Sequence, residues 1–165
     1  MAKRSATPSD VARAIFDAVG RHDLDAAFDM VVEDSVDDFV AIGRFEGRAA
    51  IRTFFDGLLA AFPDFAMEVE QIVGDDAAAV VQWRASGRFT GSPFQGIEAT
   101  GKRIEIRGVD VMQIAGGRVT YNTIYYDGAS FARQVGMLPT SGSTTDRAVL
   151  SAFNAATRLR SKLNR

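Results

Sequence analysis

The sequence predicts an α+β fold. A cone-shaped, curved antiparallel sheet wraps around one long helix and two shorter N-terminal helices, and a C-terminal helical tail follows. Two observations carry this. Apolar residues recur at helical spacing in the segments before residue 63, and at two-residue spacing between residues 66 and 127. A polar linker, Thr140-Ser141-Gly142-Ser143-Thr144, then separates a last helical pattern from the rest. The expected organisation is one domain over residues 8–139, with a linker and an amphipathic tail over residues 140–165.

Thr7-Pro8-Ser9-Asp10 supplies a helix cap, a proline in the first turn and an acid at the third position. Val11, Ile15, Phe16 and Val19 continue that helix, and Gly20 ends it. A second short helix is expected over residues 24–32 and a strand over residues 35–42. The long helix, residues 47–62, carries Ile51, Phe54, Phe55, Leu58, Leu59 and Phe62 as one wide apolar stripe. Four strands are then expected over residues 66–73, 78–89, 103–114 and 118–127. Gly74-Asp75-Asp76 and Ala115-Gly116-Gly117 are the hairpin connections, and residues 90–102 form a longer loop. A short helix over residues 128–135 follows Asp127, which is placed to cap it. The tail helix, residues 145–163, presents Val149, Leu150, Phe153, Ala156 and Leu159 and ends in basic residues. A long helix packed into a curved sheet leaves a cone with a cavity at its wide end.

Composition narrows the function classes. The chain has 165 residues, 47% of them apolar, and a net charge of −2, so no global charge draws it to nucleic acid or a membrane. It has no Cys, which excludes disulfides, thiolate metal sites and Cys nucleophiles. Its single His, His22, excludes sites built on several histidines and reads as a surface residue in a charged loop. No metal and no cofactor are expected. The N-terminal residues lack the apolar segment of a signal peptide, and a cytoplasmic location is expected.

Several motifs resemble the SnoaL-like polyketide cyclases of the nuclear transport factor 2-like superfamily. They are Gly47-Arg48-Ala49-Ala50-Ile51-Arg52 and Phe62-Pro63-Asp64-Phe65 at the two ends of the long helix, and residues 82–91 (QWRASGRFTG). Thr100-Gly101-Lys102-Arg103, Gly108-Val109-Asp110 and Gln134-Val135-Gly136 complete the set. The resemblance covers roughly residues 8–139 and implies the cone-shaped fold. The last-strand His-x-Asp pair of the cyclases falls on Asn122-Thr123-Ile124, so Ile124 stands at the acid position. Steroid Δ-isomerases are similar at two other positions. Their general base falls on Asp38 and their protonated oxyanion donor on Asp110, while their first-helix Tyr falls near Ile15 and Phe16.

Asp38 is therefore the expected base, with a solvated turn acid as the other reading; Asp37 beside it reads as an exposed charge. By alternation Asp110 shares a face with Ile104, Ile106 and Met112. It must be protonated or paired, to Arg84 or to a backbone amide. Asn122, Ile124 and Tyr126 share one strand face, which the resemblance turns toward the cavity. Asn122 and Tyr126 either position a substrate oxygen or satisfy each other. Trp83, Phe16 and Phe55 complete the expected substrate-binding set; Trp83 serves either the core or a ligand. Tyr121, Thr123 and Tyr125 face outward, which suggests a homodimer through the outer sheet face.

The expected function is a cofactor-independent acid/base enzyme of cyclase or isomerase type. Its substrate would be an apolar, oxygenated small molecule such as a polyketide, terpenoid or steroid. The alternative is a non-catalytic small-molecule-binding or dimerisation module. A third option, epoxide hydration, needs acids that residues 78–89 lack.

Overall fold

The computed structural model describes residues 6–163. In chain order the elements are α1 (Pro8–Gly20), α2 (Leu24–Phe28), β1 (Val31–Phe39), β2 (Gly43–Glu46), α3 (Arg48–Ala61), β3 (Ala66–Gly74), β4 (Ala78–Arg88), β5 (Arg103–Ala115), β6 (Arg118–Tyr126), α4 (Gly128–Val135) and α5 (Thr144–Leu163). The strands form one open sheet in the order β2-β1-β6-β5-β4-β3.

The sheet is mixed, where an antiparallel one is expected from the alternating pattern. β1 and β6 pair in parallel, and every other neighbouring pair is antiparallel. No hairpin links β1 to β6. The intervening elements act as one long crossover, so nothing forces the antiparallel sense. The α2–β1 boundary, the end of β1 (Phe39, where residue 42 is expected) and one extra strand also differ from expectation. Val31 and Val32 begin β1 instead of ending α2, as suits β-branched side chains. β2 was not anticipated because its four residues hold one apolar side chain, Phe45, and show no alternation.

Local chemistry sets the helix ends. Thr7 and Asp10 form a reciprocal capping box at the start of α1. Asp127 accepts the Ser130 N–H at 2.9 Å and caps α4. Gln134 clips α4 to β5, accepting from the Glu105 N–H at 2.6 Å and donating to the Glu105 carbonyl at 2.9 Å. The loop after β4 closes the end of α3: the N–H groups of Gly91 and Ser92 donate to the carbonyls of Ala61 and Ala60, each at 3.0 Å. Gly91 is required there, because a Cβ would lie 1.9 Å from the Ala60 carbonyl oxygen.

The concave face of the sheet carries the core. α1 packs on β3 and β4, α3 on β1, and α4 on β5. Within α3, Ile51 is buried, whereas Phe54, Phe55, Leu58 and Leu59 are half-buried. Phe54, Phe55 and Leu58 are left that way because they line a cavity as well as the core. α5 stands apart, with Val149, Leu150, Phe153 and Leu159 all more than half exposed. Among the described residues no helix is long and apolar enough to cross a membrane.

Candidate active site

A cavity of about 120 Å³ lies between the concave face of the sheet, α1 and α3. Its wall is overwhelmingly apolar, and eight phenylalanines contribute to it. α3 supplies part of an aromatic cluster: Phe54 lies 4.6 Å from Phe39, 5.4 Å from Phe55 and 5.5 Å from Phe94, centroid to centroid.

The polar groups gather on three adjacent strands. Asp37 of β1 pairs in register with Asn122 of β6, and Asn122 pairs in register with Met112 of β5. Asp110 stands two residues before Met112, on the same face of β5. Asn122 reaches diagonally to it, with Nδ2 donating to Asp110 Oδ2 at 2.8 Å. From the other side Trp83 of β4 donates Nε1–H to Asp110 Oδ1 at 2.7 Å. Trp83 is opposite Gly108 in register, and its indole lies across that glycine. A Cβ on residue 108 would meet Trp83 Cζ2 at 2.2 Å, so the bare backbone is what lets the ring reach Asp110.

Asp37 has a different environment. It is only 6% exposed, and among the described residues nothing hydrogen-bonds its carboxyl. Burial, reinforced by the charge of Asp110, pushes it up from 3.8 to about 8. Burial also raises Asp110, to about 6, and the hydrogen bonds from Asn122 and Trp83 hold that rise back. At neutral pH the pair therefore carries one proton and one charge, and the two hydrogen bonds to Asp110 favour the charge there. Asn122 Oδ1 is buried without a hydrogen-bond partner among the described residues. Tyr126 is half-buried, and burial raises its phenol.

The structure brings Asp110, Asn122, Tyr126, Trp83, Ile124, Phe16 and Phe55 together around this cavity. Asp38 does not join them. It points to the convex face of the sheet and accepts a hydrogen bond from the Tyr121 hydroxyl at 3.1 Å. Asp37, expected to be exposed, takes the inner position. The physical reason is register: a one-residue slip turns every side chain of a strand to the other face. The resemblance places the base one residue late: in register Asp37 lies opposite Asn122, on the cavity side, and Asp38 opposite Thr123, on the other. The signal that identifies Asp37 is Phe39, two residues on and 6% exposed, which fixes the inner face of β1.

Other expected contacts resolve simply. Arg84 faces outward and pairs with Glu70 at 2.9 Å, so it is not a partner of Asp110. His22 is exposed, and its Nε2 lies 2.8 Å from the Phe65 carbonyl, which ties the α1–α2 turn to the start of β3.

The family model for the SnoaL-like polyketide cyclases matches residues 9–135. No curated protein matches the chain significantly. Several solved structures share the fold. One is a candidate SnoaL-like polyketide cyclase from Jannaschia sp. CCS1, with a TM-score of 0.72 at 19% identity over 84% of this chain and 99% of that one. IdmH, a candidate polyketide cyclase from Streptomyces antibioticus, gives 0.66 at 21% identity over 78% and 98%. A protein with a ketosteroid isomerase-like fold from Catenulispora acidiphila DSM 44928 gives 0.65 at 18% identity over 79% and 94%. At these identities the likeness speaks for the fold alone.

Proposed function

We propose, for a chain that belongs to the SnoaL-like polyketide cyclase family, that it is a cofactor-independent acid/base enzyme of cyclase or isomerase type. Its substrate is an apolar molecule bearing a carbonyl or hydroxyl oxygen, of the polyketide, terpenoid or steroid kind. The observation that carries this is Asp37: a buried carboxyl with no hydrogen-bond partner among the described residues, facing an apolar cavity shared with Asp110.

Asp37 is the group that holds and moves the proton. In its neutral form it protonates a substrate carbonyl oxygen, and its carboxylate then takes the proton from the adjacent carbon, which leaves the enol and restores the acid. Asp110 is the fixed charge. Each of its oxygens already accepts a hydrogen bond, and its repulsion keeps the proton on Asp37. Asn122 Oδ1 and the Tyr126 hydroxyl are left to orient the substrate. Relative to the roles carried by the isomerase resemblance, the proton and the charge change places, and Asp37 replaces Asp38.

The experiment is a pH–rate profile of kcat/KM on a ring ketone or polyketide-type substrate found by screening. The acid form of Asp37 is lost as pH rises through about 8. The ionised form of Asp110 is lost as pH falls through about 6. A bell with limbs near those values is expected; a profile flat from pH 5 to 9 contradicts the assignment. Asp38→Asn should leave the rate within about threefold of wild type, because Asp38 is outside the cavity.

The same reading retains a homodimer through the convex sheet face, where Tyr125 is 51% exposed beside the half-buried Thr123 and Val111. Sedimentation of wild type should give dimers and of Tyr125→Asp monomers; identical behaviour of the two speaks against that surface.

A further inference from the structure

The cavity contains a charge that nothing in its wall balances. Among the described residues lining it, the titratable ones are Asp37, Asp110 and Tyr126, and none is Lys, Arg or His. Arg84, the cation on the strand beside Asp110, is turned to the opposite face and held by Glu70. Asp110 is stabilised by two neutral donors, the Trp83 indole and the Asn122 amide, which leave its charge in place. Phe54, Phe55 and Phe94 form part of the remaining wall and offer only the negative faces or positive edges of rings.

We propose that this cavity selects its ligands by charge, accepting uncharged ring ketones and alcohols, or protonated amines of the same size, and rejecting carboxylates and phosphates. This rests on the cavity being the substrate site. A second anion placed about 6 Å from Asp110 in such surroundings would be disfavoured by roughly a hundredfold. A protonated amine supplies the missing countercharge and gains from the aromatic wall.

The volume sets the size of suitable probes. A cavity of about 120 Å³ is on the scale of one six-membered ring, so it takes one ring of a larger substrate or one single-ring probe. Trp83, the only Trp in the chain, lines the cavity and serves as the reporter. Its fluorescence is to be titrated at pH 7 with 4-methylcyclohexanone, N-methylpiperidine and cyclohexanecarboxylate. The ketone and the amine should saturate, and the carboxylate should bind at least thirtyfold more weakly. Lowering the pH to 5 should narrow that gap, as the probe and Asp110 take up protons. Asp110→Asn should narrow it at pH 7. A carboxylate that binds wild type within threefold of the ketone at pH 7 overturns the proposal. Binding is read without turnover, so the charge ranking can fail while Asp37→Asn still abolishes catalysis. It can equally hold if no acid/base activity is found.

Discussion

Asp37→Asn should lose 10²–10⁴-fold in turnover while the protein becomes more stable at pH 8. The two effects have one cause. An unfolded Asp releases its proton near 3.8, whereas folded Asp37 keeps its proton up to about 8. Between those values the native state binds a proton that the unfolded state has lost. Stability therefore falls as pH rises across that window and levels off above it. Moving one carboxyl that far costs the fold on the order of 5 kcal/mol, a large share of the stability of a typical domain. Asn has the shape of the protonated acid and has no charge to bury. Thermal unfolding at pH 8 should show the variant melting at least about 5 °C above wild type, with the difference vanishing near pH 4. A variant that is inactive but no more stable at pH 8 would mean that Asp37 is already solvated or paired in the folded state.

Gly108→Ala should have the second-largest effect, by a purely steric route. The added methyl would lie 2.2 Å from Trp83 Cζ2 and 2.6 Å from the Tyr125 carbonyl oxygen. One of these neighbours is backbone and the other a buried ring, so neither yields cheaply. A loss of about 1–3 kcal/mol is expected, read as a drop in the urea midpoint. The indole must also leave its place, which removes one of the two hydrogen bonds holding Asp110 below its fully desolvated value. The lower limb of the pH–rate profile should then move up from about 6. Trp83→Phe, which removes the N–H and spares the backbone, should reproduce the shifted limb without the full loss of stability. If Gly108→Ala leaves both the midpoint and the limb unchanged, the indole does not lie over residue 108 as described.

Sequence periodicity was enough for the long helix, the four long strands and the order of every element but β2, because these are where apolar spacing is strongest. It was also enough for Asp127, since a capping acid is recognised from local chemistry alone. What it could not convey is long-range pairing. The parallel pairing of β1 with β6 and the short edge strand β2 depend on contacts between residues about 85 positions apart or on four weakly patterned residues. The site was legible wherever a strand face could be read from its own alternation, as for Asp110, Asn122, Ile124 and Tyr126. It was misread at Asp37 and Asp38, where two adjacent acids face opposite sides and the choice rests on the face of β1 that is turned inward. The buried Phe39 held that information and outweighs the resemblance at Asp38.

The stability effect also bears on why such a pair persists. A buried carboxyl without a partner is a liability in a structural core, where an apolar residue of the same size would fold better. Trp83 and Asn122 hold Asp110 in place while Asp37 has no donor among the described residues, an asymmetry that separates the two acids by their environments. Such separation is how two identical side chains come to serve as proton donor and charge.

The most direct test is a carbon-13 NMR titration of the aspartate carboxyls, compared between wild type and Asp37→Asn. Two carboxyls of wild type should titrate well above the rest, near pH 6 and pH 8, and the resonance near 8 should be missing from the variant. If every aspartate of the folded wild type has titrated by pH 5, Asp37 and Asp110 do not share a proton in a dry cavity, and the acid/base account fails.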